Sequence, residues 1–298
     1  MFTSRLQRMC RAGLTQQQFV NNQQAMLVPF SQRDFAVSEK TLMLRIKAVK
    51  NIGKITKAMK MVAASKMRGD LERLSNGKSY GFNGIDMMMK CDPYMQRRAP
   101  DMPAEPRELL VPISSDKGLC GSINSGIFRY TRTYISERDR SKLKIFSIGE
   151  KGQTAMKRPF PDLLKVGISE IQTPYNFPMV MAVSEHITAH SKDSDKIVVF
   201  YNEFKSAITQ VIRSIELIPR HRFIDTVKFG KLYFKGAIPD KNTANPALYE
   251  LYLTSNLWIA FLNNSASEQS ARMNAMENAS KNAGEIVDKL TLQYNYAR

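Results

Sequence analysis

Early in the chain apolar residues recur at Ile46, Val49, Ile52, Ile55, Met59 and Val62, in steps of three and four. That spacing places them in one stripe on a helix. The helix is predicted from about residue 39, with Ser38 or Thr41 available as its cap, to about residue 92. Ser75-Asn76-Gly77, Gly81 and Gly84 weaken it, and Asp92-Pro93 with the run from Ala99 to Pro106 ends it. From residue 107 the pattern changes to short apolar runs of strand length: Leu109–Ile113, Leu143–Ile148, Lys196–Tyr201 and a β-rich stretch over 207–217. Helical patterns at 122–137 and 178–190 lie between them, and Gly149-Glu150-Lys151-Gly152 reads as a turn. Strands alternating with helices predict an α/β domain of Rossmann-like type with a mostly parallel sheet. Residues 221–245 are basic, aromatic and turn-rich, and give no placement.

A third pattern begins at Pro246, a favourable first helical residue. No further proline follows to Arg298, and 53 residues would span about 80 Å as one helix. Leu248–Leu262 is aromatic and rich in leucine; beyond it Arg272, Met276, Ala279, Ala283, Ile286, Leu290 and Ala297 keep heptad spacing. So long a helix frays without a partner along its length. The terminal helices are therefore predicted to pair as a long antiparallel coiled coil, residues 40–68 against 268–298. Its seam is expected at Val49, Ile52, Met59, Met276, Ala279, Ala283, Ile286 and Leu290, with the two alanines allowing close approach. The predicted organisation is a leader at 1–35, a first long helix within 36–92, a linker at 93–106, an α/β domain at 107–245 and a last helix at 246–298.

Charge changes the picture more than composition does. The chain carries a formal +17, which acts through partners rather than fold: nucleic acid, anionic lipid or an acidic protein surface. From Lys40 to Gly69 there are nine Lys or Arg, among them Lys54, Lys57, Lys60, Lys66 and Arg68, and no acid. Like charges at i, i+4 repel, so an acidic partner is expected outside the helix; a merely solvated face is the plainer reading of a charge run. The first 33 residues hold Arg5, Arg8, Arg11 and Arg33 and no acid, with Arg5, Arg8 and Arg11 near one helical face. That is the signature of a mitochondrial transit peptide, with cleavage expected near Ala36; a basic tail is the alternative. Residues 1–35 hold only four Arg and one Asp, so the basic excess belongs to the body. Cys10, Cys91 and Cys120 stand far apart, which argues against a disulfide framework or a zinc site. No apolar run has the length of a membrane span.

Candidate chemistry is sparse. The loop Ser115–Gly121 lies between strand and helix, where phosphate loops occur, yet it matches neither G-x-x-x-x-G-K-[ST] nor G-x-G-x-x-G. It reads as a structural loop in which Asp116 caps, Gly118 and Gly121 supply unusual backbone angles, and Cys120 is a small buried residue. Gly53-Lys54 lacks the rest of a phosphate motif. His186 and His190 are i, i+4 but without H-E-x-x-H, and Met87-Met88-Met89 reads as helix packing. No catalytic constellation, metal site or cofactor site is expected.

Three stretches carry a resemblance. Arg45 to Met67, the loop Ser114-Ser115-Asp116-Lys117-Gly118-Leu119-Cys120-Gly121, and Ser267 to Ala279 with Glu268, Gln269, Arg272, Met273 and Met276 look like the ATP synthase gamma-subunit family. The loop matches S-[ST]-D-[RK]-G-L-C-G and the last stretch S-E-Q-x-x-R-M-x-A-M. The resemblance covers about residues 39–298. It implies a non-catalytic rotor in the central stalk of a proton-translocating complex at the matrix side of the mitochondrial inner membrane, peripheral to the membrane and without a cofactor. Implied partners are the alpha and beta subunits as a hexameric ring, the delta and epsilon subunits and the membrane c ring, with no nucleic acid. Lys54, Lys57, Met59, Lys60, Lys66, Arg68, Glu268, Gln269 and Arg272 are then expected to face the alpha/beta ring. The family continues past the position of Arg298 into a small apolar tail, so the chain is either a truncated piece or a shorter shaft. Two rival readings are a basic coiled-coil protein binding nucleic acid in the mitochondrion and an oxidoreductase built on the α/β domain. The absence of aromatics from residues 40–69 counts against the first, and the missing phosphate fingerprint against the second.

Overall fold

The computed structural model describes residues 38–80, 103, 105–226 and 241–298. The predicted leader, most of the linker, Met87–Met89 and much of the unplaced stretch 221–245 lie outside the described residues. The described residues form two compact units: those within Ala48–Asp288, and those up to Lys47 joined to Lys289–Arg298.

Helix α1 is Glu39–Tyr80. Ser38 is its cap: the Thr41 and Leu42 amides donate to the Ser38 carbonyl at 2.8 and 3.1 Å, and the Thr41 amide also reaches Ser38 Oγ at 3.4 Å. Gly77 does not weaken this helix by accident. It is buried, and a side-chain carbon there would fall 2.6 Å from Leu262 Cδ1. A larger residue there would make the Leu262 side chain move.

The α/β domain contains β1 (Glu108–Pro112), α2 (Ile123–Ser136), β2 (Leu143–Ile148), α3 (Glu150–Lys157), β3 (Leu164–Ile168), α4 (Phe177–His190), β4 (Lys196–Phe204), β5 (Gln210–Leu217) and the short α5 (Arg220–Thr226). The sheet order is β3-β2-β1-β4-β5. All pairings are parallel except β4 with β5. The central strand β1 is buried throughout. Its alternate residues feed two cores, as a period of two requires. Leu109, Val111 and Ile113 pack with Val180, Val183, Leu253, Leu257 and Phe261. Leu110 packs on the other face with Ile135, Ile145, Met156 and Phe200.

Two elements differ from the sequence reading. Gly149–Gly152 is not a free turn: Gly149, at φ +94°, leads into α3, and Gly152 lies against Ser114, whose Oγ accepts the Gly152 amide at 2.9 Å. The last helix, α6, is Lys241–Ala297 and contains Pro246. Proline's φ suits a helix, and its missing N–H forfeits one bond near the helix start, so the helix begins upstream of it.

Candidate functional site

Within Ala48–Asp288, α1 and α6 run antiparallel. Gly53 stands opposite Ala283, Lys60 Nζ meets Glu277 at 3.2 Å, Ser265 Oγ donates to Asp70 at 2.8 Å, and Leu74 packs with Leu262 and Ala266. The buried or half-buried positions of α1 that face α6 include Gly53, Thr56, Lys60, Ala63, Met67, Asp70, Leu74 and Gly77. On α6 they include Leu262, Ala266, Gln269, Met273, Met276, Ser280 and Ala283. Both sets alternate steps of three and four, the heptad rule.

This seam corrects the predicted one. Met276 and Ala283 are in it, while Val49, Met59 and Ala279 are half-buried beside it. Ile52 and Ile286 are outside, at 52% and 47% exposure. The small residues Gly53, Thr56, Ala63 and Ala283 set the pairing because they let the helices close up, and the bulkier stripe is left on the outer flank. Leu290 belongs to the other unit, where it is half-buried; Leu42 is buried there and Tyr294 Oη donates to Glu39 at 2.8 Å. Ile286→Asp is therefore expected to change stability by no more than about 0.5 kcal/mol, as surface substitutions do. Ala283→Asp should cost at least about 2 kcal/mol by burying an unpaired carboxylate. Urea unfolding of the two variants separates these outcomes.

Glu268, Gln269 and Arg272 are also corrected. They do not project outward: Glu268 and Gln269 are 5% and 7% exposed, and only 11% of the Arg272 side chain is accessible. Arg272 donates to Glu268 Oε1 at 2.6 Å, to Gln269 Oε1 at 3.1 Å and to the Gly118 carbonyl at 3.4 Å. Burial raises the Glu268 carboxyl; Arg272 opposes the shift, Asp116 and Asp70 reinforce it, and the net direction is up. An i, i+4 pair removed from water holds α6 to the glycine loop. The fold shows that the pair faces inward.

The basic row is where the sequence places it. Lys54, Lys57, Lys66 and Arg68 are exposed, and none of them has a carboxylate partner among the described residues. Lys60 differs, because Glu277 takes it up and is itself held below the usual carboxylate range by the Lys60 hydrogen bond, with Lys281 nearby. Ile52, Ile55 and Val62 stand exposed among these cations, at 52%, 59% and 56%.

The glycine loop is built from side chains that the motif alone does not order. Asn124 Nδ2 donates to Ser115 Oγ at 2.8 Å and to Cys120 Sγ at 3.2 Å, and Asn124 Oδ1 accepts the Ser115 amide at 3.0 Å. Cys120 is buried. Asp116 does not cap the following helix. It accepts the Glu150 amide at 2.8 Å and the Ile171 amide at 3.1 Å, and so ties the loop to the start of α3 and to the segment before α4. Gly121 has φ +63°, but the other left-handed residue of the loop is Leu119, at φ +62°, not Gly118. His186 and His190 are exposed, as expected of a helix face.

Within Ala48–Asp288, two antiparallel helices with a basic outer flank join a mostly parallel α/β domain, and that combination defines the class. The family model described as ATP synthase matches residues 38–298. The mitochondrial ATP synthase subunit gamma of Drosophila melanogaster is 32% identical over 87% of this chain and 84% of its own length. The ATP synthase gamma chain of Pelagibacter ubique is 34% identical over 85% and 91%. Among solved structures, a chain of the central stalk and c ring of the Tetrahymena thermophila mitochondrial ATP synthase is similar, with TM-score 0.68 and 42% identity, over 76% of this chain and 99% of that one. A chain of the Euglena gracilis enzyme, 21% identical with TM-score 0.70, shares the fold. The chain belongs to the gamma-subunit family of the F-type ATP synthases, the central-stalk component of that complex.

Proposed function

We propose that this chain is the non-catalytic rotor of a mitochondrial ATP synthase, coupling rotation of a membrane c ring to ATP turnover in a surrounding ring of alpha and beta subunits. The observation that carries the reading is the outer flank of α1: exposed, cationic, apolar in part, and unmatched by carboxylates among the described residues. Such a flank needs an acidic sleeve with apolar contact surface, which the alpha/beta ring would provide. Lys54, Lys57, Lys66 and Arg68, with Met59 half-buried beside them, are the residues assigned to that contact. The α/β domain would stand against the c ring with the delta and epsilon subunits, on the matrix side and outside the membrane. An Arg-rich, acid-free start agrees with import into the mitochondrion.

Affinity isolation of the tagged chain from mitochondria tests the assignment. Alpha, beta and c-ring subunits are expected with it; capture of nucleic acid without them would overturn the rotor reading. A second expectation concerns chemistry. The loop 115–121 is tied by Asn124 to Ser115 and Cys120 and fits no phosphate-loop pattern. Calorimetry on the purified chain should show no ATP binding at micromolar concentrations, and the chain alone should not hydrolyse ATP.

A further inference from the structure

We propose that Ser267, Ser270 and Asn274 form a torsional anchor: a polar ladder that fixes the rotation of α6 about its own axis against the β4–β5 hairpin, so that the α/β domain and the helix turn as one piece. The proposal rests on the rotor reading and names the residues through which torque would pass from the domain to the helix pair.

Two stripes run along α6, and they differ in chemistry. The one facing α1 is mostly small or apolar, with Leu262, Ala266, Met273 and Met276 in it. The other faces the hairpin and is polar. Asn263, Ser267, Ser270 and Asn274 follow one another in steps of four, three and four, so they lie on one side of the helix. Asn263 Oδ1 accepts the Phe204 amide at 3.4 Å, Ser267 Oγ donates to the Asn202 carbonyl at 3.1 Å, and Asn202 Nδ2 donates to Asn264 Oδ1 at 3.0 Å. At the hairpin tip the Ala207 carbonyl accepts twice, from Ser270 Oγ and from Asn274 Nδ2, each at 2.7 Å. Gln210 Nε2 completes the row by donating to Ser270 Oγ at 3.3 Å.

Asn202, Asn263, Asn264, Ser267 and Ser270 are between 0% and 2% exposed. Polar groups so deep contribute little net stability even when paired. What their hydrogen bonds add is direction. Apolar contact is non-directional and lets a helix roll in place, whereas a hydrogen bond weakens steeply once its angle is lost. Earlier in α6, Leu253, Leu257 and Phe261 are held in the domain core by packing. The ladder begins just after Phe261 and follows the helix toward Met276 and Ala283, which meet α1.

The test uses the assembled complex held by its alpha/beta ring, with a bead on the α/β domain to report its angle during ATP-driven rotation. Ser267→Ala, Ser270→Ala and Asn274→Ala combined remove four of the six bonds. The variance of the bead angle within each dwell is expected to rise roughly twofold or more, because the coupling runs through that hydrogen-bond network. Asn274→Ala alone, at a half-buried position, should raise it less. A purely structural role predicts another result: a lower melting temperature of the purified chain with the angular variance unchanged. That result overturns the anchor, as does an unchanged variance with unchanged melting. If the combined variant fails to assemble, Asn274→Ala decides by the same two readings. A complex of the unchanged chain that does not rotate would instead overturn the rotor reading.

Discussion

Arg272→Met is expected to cost the folded chain about 3–5 kcal/mol at pH 8, the range for breaking a buried ion pair by removing one partner, and considerably less at pH 5. Glu268 would then be left in the interior with no cation acting on it among the described residues, while Asp70 and Asp116 still do. Its folded-state pKa is already raised by burial, and loss of Arg272 raises it further. A carboxyl whose folded pKa exceeds its unfolded one contributes stability that is fully present below the unfolded value, about 4.3, and lost as pH rises through the folded value. The variant should therefore lose stability between about pH 4 and the raised pKa and recover part of it on acidification. Urea unfolding of the purified chain at the two pH values measures this. Adding Glu268→Gln should restore much of the loss at pH 8, because the two sites share one contact. A cost that is the same at both pH values, and unrelieved by Glu268→Gln, would mean that the Glu268 charge is not confined as the geometry indicates.

The same residues show what the sequence does and does not disclose. Strands β1, β2 and β4 are legible because each is a short, nearly continuous apolar run, as strands buried on both faces must be. Helix α3 and strand β3 are not, because Lys, Gly and Gln break their pattern and their burial comes from Ser114 and Gln153 contacts made across the fold. The long helices are legible from periodicity, but their rotation is not. Ile52, Ile55, Met59 and Val62 make the stronger hydrophobic stripe, whereas Gly53, Thr56 and Ala63 make the seam. Burial within this chain assigns the small residues to α6 and leaves the large ones largely exposed. Glu268, Gln269 and Arg272 fail in the opposite sense: the resemblance sets them on an outer face, and their mutual hydrogen bonds allow an inner one. For the loop, the motif locates the turn, but the acceptor role of Asp116 depends on amides at Glu150 and Ile171 that no local pattern can reveal.

Reversing Lys54, Lys57, Lys66 and Arg68 together to Glu is expected to uncouple ATP turnover from proton movement while the chain stays folded. Lys60 is left unchanged because its contact with Glu277 is internal. The four chosen side chains are exposed and have no carboxylate partner among the described residues, so the chain should tolerate the change; removal of mutual repulsion along α1 even favours it. One exposed ion pair is worth about 0.2–1 kcal/mol, so any single Lys→Ala should leave coupling nearly intact. Four reversals act differently, since attraction becomes repulsion at every angle of the turning helix pair. In the reconstituted complex, proton-driven ATP synthesis should collapse while ATP hydrolysis persists in part, and raising the salt concentration should relieve some of the defect by screening. The nucleic-acid reading predicts another result from the same variant: weaker binding to DNA or RNA, with a shallower dependence of log affinity on log salt. Unimpaired synthesis in the reversed complex would leave the apolar flank of Ile52, Ile55 and Val62, rather than the charges, as the bearing surface.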